Sequence, residues 1–269
     1  MDTLAFIGGG NMASAIIGGL VRSGRPASTV IVVEPSDVQR ARLQGEFGVR
    51  TLSAAGAGLA GATLVVWAVK PQLFIQAAAP CAAHVSNALQ LSVMAGIRSD
   101  AVVRASGSER VVRAIPNTPA LIGQGIAGLF ARDTVTAAER LQVEAVLAPT
   151  GRSLWVERED DLDTVTALSG SGPAYVYYFI EAMIDAAVQS GLDAAQGRQL
   201  ALATFAGATA LAAASSEPPQ LLRERVTSKG GTTEAAIHSL EQSGVKAAFI
   251  DAMQAARRRA AELGDEFGR

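Results

Sequence analysis

Apolar and polar positions along this chain follow two different rules. From Thr3 to Glu157, short apolar runs alternate with stretches of helical period. The runs at 4–7, 30–34, 63–68, 89–94, 111–115, 125–130 and 153–157 read as strands, with helices at 11–23, 37–47 and 137–147 among the segments between them. Strands alternating with helices indicate βαβ units and a mainly parallel sheet covered on both faces. Beyond Asp160 no strand pattern is convincing, and the helical period dominates. Pro173 near a start and Gly191 past an end frame a helix at 174–190. Asp193 opens another that runs to about 214, Pro218 and Pro219 punctuate the next connection, and further helices are predicted at 233–242 and 245–263. The expected architecture is an α/β domain of residues 1–159 followed by an all-helical domain of residues 160–269. The late helices carry more alanine and apolar residues than a small monomeric bundle easily buries, which predicts a subunit interface; close packing within one chain is the alternative.

Composition narrows the chemistry. The 269 residues are 49% hydrophobic, ample for two modest domains, and the net charge of −2 gives no electrostatic case for nucleic acid. A single cysteine, Cys81, excludes an internal disulfide framework and leaves too little sulfur for a zinc site. The two histidines, His84 and His238, lie far apart without metal-ligand partners, so neither histidine nor metal catalysis is expected. A strand pattern begins at Thr3 without a basic flank, no signal peptide is read, and no apolar run spans a bilayer. A soluble cytoplasmic protein is the expectation.

The first strand leads into Gly8-Gly9-Gly10-Asn11-Met12-Ala13, a Gly-x-Gly-x-x-Ala turn that opens a helix. Gly8 permits the tight turn, Gly10 lets a pyrophosphate approach the backbone, and Ala13 keeps helix and sheet close. This strand–turn–helix context points to a Rossmann-type domain that binds a dinucleotide, with Gly8, Gly10, Asn11 and Met12 at the cofactor. Glu34 ends the second strand, where an acidic residue bonds the adenosine ribose and disfavours a 2′-phosphate. Ser36, Arg40 and Arg42 follow and suit a phosphate instead, so NADH and NADPH both stay open. Ala68-Val69-Lys70-Pro71, Ala95-Gly96 and Asn117 leave later strands at the carboxyl edge, where ligands of open α/β sheets bind. Lys70 reads as a cofactor contact or a solvated loop lysine. Asn117 reads as a nicotinamide or substrate contact or as a residue that shapes a proline-rich turn.

The late segment Val226-Thr227-Ser228-Lys229-Gly230-Gly231-Thr232-Thr233-Glu234 is a glycine turn with hydroxyls opening a helix. Ser228 or Thr232 is expected to cap that helix, whose N-terminus suits a carboxylate or phosphate. Thr233 then sits in the first turn beside any anion held there. An ordinary capped helix after a flexible loop is the plainer reading.

Five blocks together carry a family resemblance: GGGNMA at 8–13, AVKP at 68–71, IPNTPA at 115–120, LSGSGPAYVY at 168–177 and VTSKGGTTEA at 226–235. With these the chain resembles pyrroline-5-carboxylate reductases nearly end to end. The resemblance implies reduction of 1-pyrroline-5-carboxylate to L-proline by NADPH or NADH, in a homodimer, often assembled further, whose helical domains complete each other's active sites. It further implies that Ser228 and the backbone at Gly230, Gly231 and Thr232 hold the substrate carboxylate, and that Thr233 is catalytic, donating or relaying a proton to the ring nitrogen. Two positions depart from the family pattern: Lys229 stands where proline is usual, and Ile115 where methionine or threonine is more familiar. Lysine removes the fixed φ that proline gives the loop and adds a positive charge beside the carboxylate. Other readings of the same residues are a Rossmann dehydrogenase of a small hydroxy acid and a non-catalytic dinucleotide-sensing protein. The former sets a lysine and an asparagine on a helix of the second domain, and no such asparagine lies near Lys229.

Overall fold

The computed structural model describes residues 2–267; Met1, Gly268 and Arg269 lie outside the described residues. The described residues form two compact units, one of Gly172–Gln254 and the other of residues 2–171 and 255–267. In the larger unit the elements run β1 (Thr3–Ile7), α1 (Asn11–Arg22), β2 (Val30–Val33), α2 (Asp37–Phe47), β3 (Arg50–Leu52), β4 (Ala62–Trp67), α3 (Phe74–Ala78), α4 (Ala82–Val85), β5 (Leu89–Ser92), α5 (Ser99–Ser106), β6 (Val111–Ile115), β7 (Gly125–Ala131), α6 (Ala137–Leu147), β8 (Gly151–Trp155) and α7 (Asp161–Val165). Their eight strands form one sheet in the order β3-β2-β1-β4-β5-β6-β7-β8. Every neighbouring pair is parallel except β6–β7, so the mainly parallel α/β sheet expected from the sequence is the one observed.

The central strands β1, β2 and β4 are almost wholly apolar because they bury both faces. Leu4, Phe6, Val30, Val32, Leu64 and Val66 join Ile16 and Ile17 of α1 in one core, and their neighbours Ala5, Ile7, Ile31, Val33, Val65 and Trp67 join Phe74 and Val102 in the other. The strand period of two thus feeds two cores from one run. Each fully buried side chain of this size contributes roughly 1.5–3 kcal/mol. The buried amide of Gln90 is satisfied: it accepts from Trp67 Nε1 at 2.8 Å and donates to the carbonyls of Val85 and Ala88 at 2.8 and 2.9 Å.

β3 and the start of β8 differ from the sequence expectation in this unit, and β5 ends at Ser92, two residues short of the expected 94. β3 has only three residues, too few for a period to declare itself, and it forms because Ile31, Val32 and Val33 of β2 offer a free parallel edge. The last strand begins at Gly151, two residues ahead of the expected 153, because Gly151 lies directly opposite Gly125 in the ladder. A Cβ at Gly151 would come within 2.0 Å of the Gly125 carbonyl oxygen, so only glycine allows that approach.

The smaller unit is helical: α8 (Gly172–Gln189), α9 (Ala194–Ala214), α10 (Pro219–Arg225), α11 (Thr232–Gln242) and the first part of α12 (Val245–Phe267). Asp193 caps α9 in a reciprocal box with Gln196. The two prolines at 218–219 start α10 rather than merely interrupt the chain, because Pro219 occupies the first turn, where its missing N–H costs nothing. Gly197 lies against α8, where an added Cβ would meet Ala187 Cβ at 2.9 Å, and Phe249 packs on Tyr175 and Phe179 with centroids 5.7 Å apart in both pairs. From Ala255 onward α12 belongs to the unit of the sheet. No described helix is long and apolar enough to cross a membrane.

Candidate active site

Strand order reverses between β1 and β4, since β2 and β3 lie on one side of β1 and β4 to β8 on the other. The carboxyl ends of strands at such a switch point leave a crevice. Here it is a cavity of about 500 Å³ lined by Gly8, Gly9 and Gly10 after β1, Glu34 after β2, and Ala68, Val69 and Lys70 after β4.

Each glycine of the turn is required for a different reason. Gly8 has φ +96°, and a Cβ there would lie 2.6 Å from the Ala68 carbonyl oxygen. Gly9 is pressed between α2 and β2, with Leu43 Cδ1 at 2.6 Å and Glu34 Oε2 at 3.3 Å from an added Cβ. At Gly10, the N-cap of α1, an added Cβ would meet no protein atom within 4 Å. Protein packing therefore does not demand glycine at Gly10; a Cβ would instead fill the cradle at the helix start. Helix α1 has no acidic residue in its first turn, which leaves its N–H groups and positive dipole end to an anion. The donor set and the cradle fit the pyrophosphate of a dinucleotide.

Gly9 is held through both of the peptide groups that flank it. Its N–H donates to Glu34 Oε2 at 2.9 Å, while its carbonyl accepts from Ser14 Oγ at 3.4 Å and from Gln39 Nε2. Ser36 caps α2, accepting from the Gln39 N–H, and its own N–H donates to Glu34 Oε1 at 2.9 Å. Arg40 donates to the carbonyls of Glu34 and Pro35, both at 2.7 Å, and pairs with Asp37. Arg42 pairs with Glu46 at 3.3 Å.

The remaining positions singled out in the sequence are dispersed along the carboxyl edge. Lys70 is exposed and precedes a 3-10 turn at Pro71–Leu73, with φ −63° and ψ 139° in the extended region that a following proline favours. Ala95 is exposed, whereas Gly96, at φ +74°, faces the end of α12, with Leu263 Cβ 3.2 Å from an added Cβ. Asn117 donates to the Ser169 carbonyl at 3.1 Å and accepts from the Ile126 N–H at 3.0 Å, tying β6 to β7 and to a single π-helical turn at Thr166–Gly170. Sequence reasoning missed Ser53, Ala54 and Ala55, which line the cavity behind β3, and Gln76 of α3. The glycine at 48, which ends α2 with φ +69°, was the available signal that a new element follows.

A buried charge cluster in the same unit was also missed. Arg113, on β6 and 2% exposed, donates to Glu159 Oε1 at 2.8 Å, and Ser99 donates its N–H and hydroxyl to the same carboxylate at 2.6 and 2.5 Å. Burial pushes the Arg113 guanidinium below its ordinary range, and Glu159 opposes that shift. Arg98 pairs with Asp163 at 2.7 Å and lies against Gly264 of α12, where a Cβ would sit 2.6 Å from Arg98 Nε.

In the helical unit, the late turn folds as a glycine turn opening α11. Gly230 has φ +73°, and its N–H donates to Glu234 Oε2 at 2.6 Å; the Gly231 N–H donates to the Ser228 carbonyl at 3.0 Å. The expected side-chain cap is corrected here. The N-cap is Gly231, without a side-chain bond, because Thr232 already lies inside the helix and the Ser228 hydroxyl sits 2.5 Å from where a Gly231 Cβ would be. The Ser228 hydroxyl and the N–H groups of Thr232 and Thr233 have no intramolecular partner among the described residues. Thr233 is half-buried, while Ser228, Lys229 and Thr232 are exposed.

A doubly wound sheet with a glycine cradle at its switch point defines a dinucleotide-binding protein of the Rossmann class. Residues 3–96 match the family model described as NADP oxidoreductase coenzyme F420-dependent, and residues 159–263 match pyrroline-5-carboxylate reductase dimerisation. The chain is 42% identical to the pyrroline-5-carboxylate reductase of Pseudomonas aeruginosa across 98% of both proteins. It superposes on the Coxiella burnetii reductase with a TM-score of 0.91 at 35% identity, covering 97% of this chain and 98% of that one. With the Plasmodium falciparum reductase, solved with NADP bound, the TM-score is 0.86 at 28% identity, covering 98% of each chain. The chain belongs to the pyrroline-5-carboxylate reductase family.

Proposed function

We propose that this chain reduces 1-pyrroline-5-carboxylate to L-proline with NADPH or NADH, the last step of proline biosynthesis. The observation that carries this reading is the 42% identity to the Pseudomonas aeruginosa reductase over 98% of both chains. The dinucleotide cradle supports it independently, because a C=N reduction without histidine or metal needs a bound hydride source and an orienting site.

The division of labour follows the two units. Gly8, Gly10 and the start of α1 at Asn11 and Met12 would hold the pyrophosphate, and Ala68, Val69, Lys70 and Pro71 would border the cofactor on the β4 side, with Ala95, Gly96 and Asn117 further along the edge. When bound, the reduced nicotinamide supplies hydride. In the helical unit the free Ser228 hydroxyl and the Thr232 N–H would anchor the substrate carboxylate, with Gly230 and Gly231 shaping the turn. Thr233 would donate a hydrogen bond to the ring nitrogen and pass on the proton it takes. The balance is one hydride to the imine carbon and one proton to nitrogen, leaving oxidised dinucleotide and a saturated ring. A homodimer belongs to the same reading, supported by the dimerisation match at residues 159–263, as does a cytoplasmic location, where reduced dinucleotides are available.

The test is steady-state oxidation of NADH and NADPH, separately, by the purified protein given racemic 1-pyrroline-5-carboxylate, with L-proline identified as product. Turnover with either cofactor is expected. Binding of both without oxidation would replace this reading with a dinucleotide-sensing role.

A further inference from the structure

The geometry points to Glu34 as the residue that selects the cofactor, making this chain a binder of NADH over NADPH. The inference rests on the reading of the β1–β4 cleft as a dinucleotide site. Glu34 follows β2, beside the glycine turn, and lines the cavity. Its carboxylate is held in place: one oxygen takes the Gly9 N–H and the other the Ser36 N–H, both at 2.9 Å. Neither bond neutralises it, and each oxygen keeps lone-pair capacity for a ribose hydroxyl. A 2′-phosphate brought to the same place would meet a fixed negative charge.

The cations that suit a phosphate are either paired with carboxylates or set away from Glu34. Arg40 is drawn into the 34–37 turn by two carbonyls and Asp37, with its side chain only 18% exposed. Arg42 pairs with Glu46 one turn further along α2. Lys70 follows β4, and β1 lies between it and β2, so two strand spacings of about 4.8 Å separate their ends. The N-terminus of α2 offers no compensating anion site, because Asp37 occupies its first turn and the Ser36 N–H already serves Glu34. Glu34 also holds the Gly9 N–H while Gln39 holds the Gly9 carbonyl, so the selecting carboxylate is tied directly to the glycine cradle.

The test is binding without substrate. Dissociation constants for NADH and NADPH are measured by calorimetry on the wild-type chain, on Glu34→Gln and on Glu34→Ser, with melting temperatures as a check on folding. Wild type is expected to bind NADH at least tenfold tighter than NADPH. Glu34→Gln, which keeps an oxygen for the Gly9 N–H but loses the charge, is expected to shift that ratio at least tenfold toward NADPH, and Glu34→Ser to shift it in the same direction. Equal or tighter NADPH binding by wild type, or an unchanged ratio in both folded variants, overturns the inference. The functional reading is judged separately: preference for NADH without turnover of 1-pyrroline-5-carboxylate sustains this inference and removes the reductase, whereas turnover without discrimination does the reverse.

Discussion

Thr233 is the residue on which the proposed chemistry depends most. It stands in the first turn of α11, half-buried, and no described group claims its hydroxyl. A positioned proton donor contributes roughly 10²- to 10⁴-fold in rate. Thr233→Ala is therefore expected to lower kcat/KM about 100-fold or more while leaving the dissociation constant for NAD(P)H unchanged, since the cofactor cradle belongs to other residues. Unchanged turnover would remove Thr233 from the mechanism. Lys229 beside it adopts the turn without the φ restraint of proline, because Gly230 supplies the left-handed step and Glu234 holds the Gly230 N–H. The turn is thus shaped by its neighbours, and the charge of Lys229 is an addition at an exposed position. What the sequence could not show at this scale was which donors are already spent. Gly230 and Gly231 were expected to serve an anion through their backbone, yet both N–H groups have partners within the turn.

At the scale of elements, α6 shows how a local signal becomes linked to distant structure. Thr136 and Glu139 form a capping box, and Arg110, 29 residues earlier, donates to Glu139 Oε1 at 2.5 Å. Burial pushes the Glu139 carboxyl up, but the Thr136 N–H and hydroxyl and the Arg110 guanidinium outweigh it, so the net shift is downward. A carboxylate depressed in the folded state adds stability above its unfolded pKa, and that stability is lost as pH falls through the folded value. In urea titrations the wild type is expected to lose stability below about pH 4.5, and Glu139→Gln to be less stable near neutrality with a flatter dependence over that acid window. An identical pH slope in the two proteins would exclude Glu139 as a contributor. The box itself is legible in the sequence as a threonine followed three positions on by glutamate; its tie to Arg110 is not. β3 was illegible for the opposite reason: three residues carry no period, and only the open edge of β2 makes them a strand.

For the whole molecule, the helical unit cannot satisfy its own apolar surface. Helices α8, α10 and α11 have no buried residue, and α9 buries only Gly197 and Ala201. Tyr178 and Leu211 are 70% and 72% exposed in the single chain. Exposed apolar area on this scale calls for a partner, and a second copy of the chain is the one proposed above. Sedimentation is expected to show a dimer or a larger even assembly whose melting temperature rises with protein concentration, because association is linked to folding. Leu211→Asp is expected to move the protein toward monomer and lower the melting temperature. A stable monomer at micromolar concentration would contradict this reading.

The sequence by itself determined what depends on residues close together along the chain. The strand and helix periods, the glycine cradle after β1 and the glycine turn before α11 all follow from local backbone preference and side-chain alternation. Tertiary structure decided what depends on residues brought together from afar. It set Glu34 on the Gly9 N–H, and it engaged Asn117 with Ser169 and Ile126. It also placed the end of α12 with the sheet, where Gly264 admits Arg98 and Gly96 meets Leu263. The reason is physical: periodicity encodes which face of an element is apolar, whereas the partner of a carboxylate, an amide or a glycine surface is chosen only when the chain closes on itself.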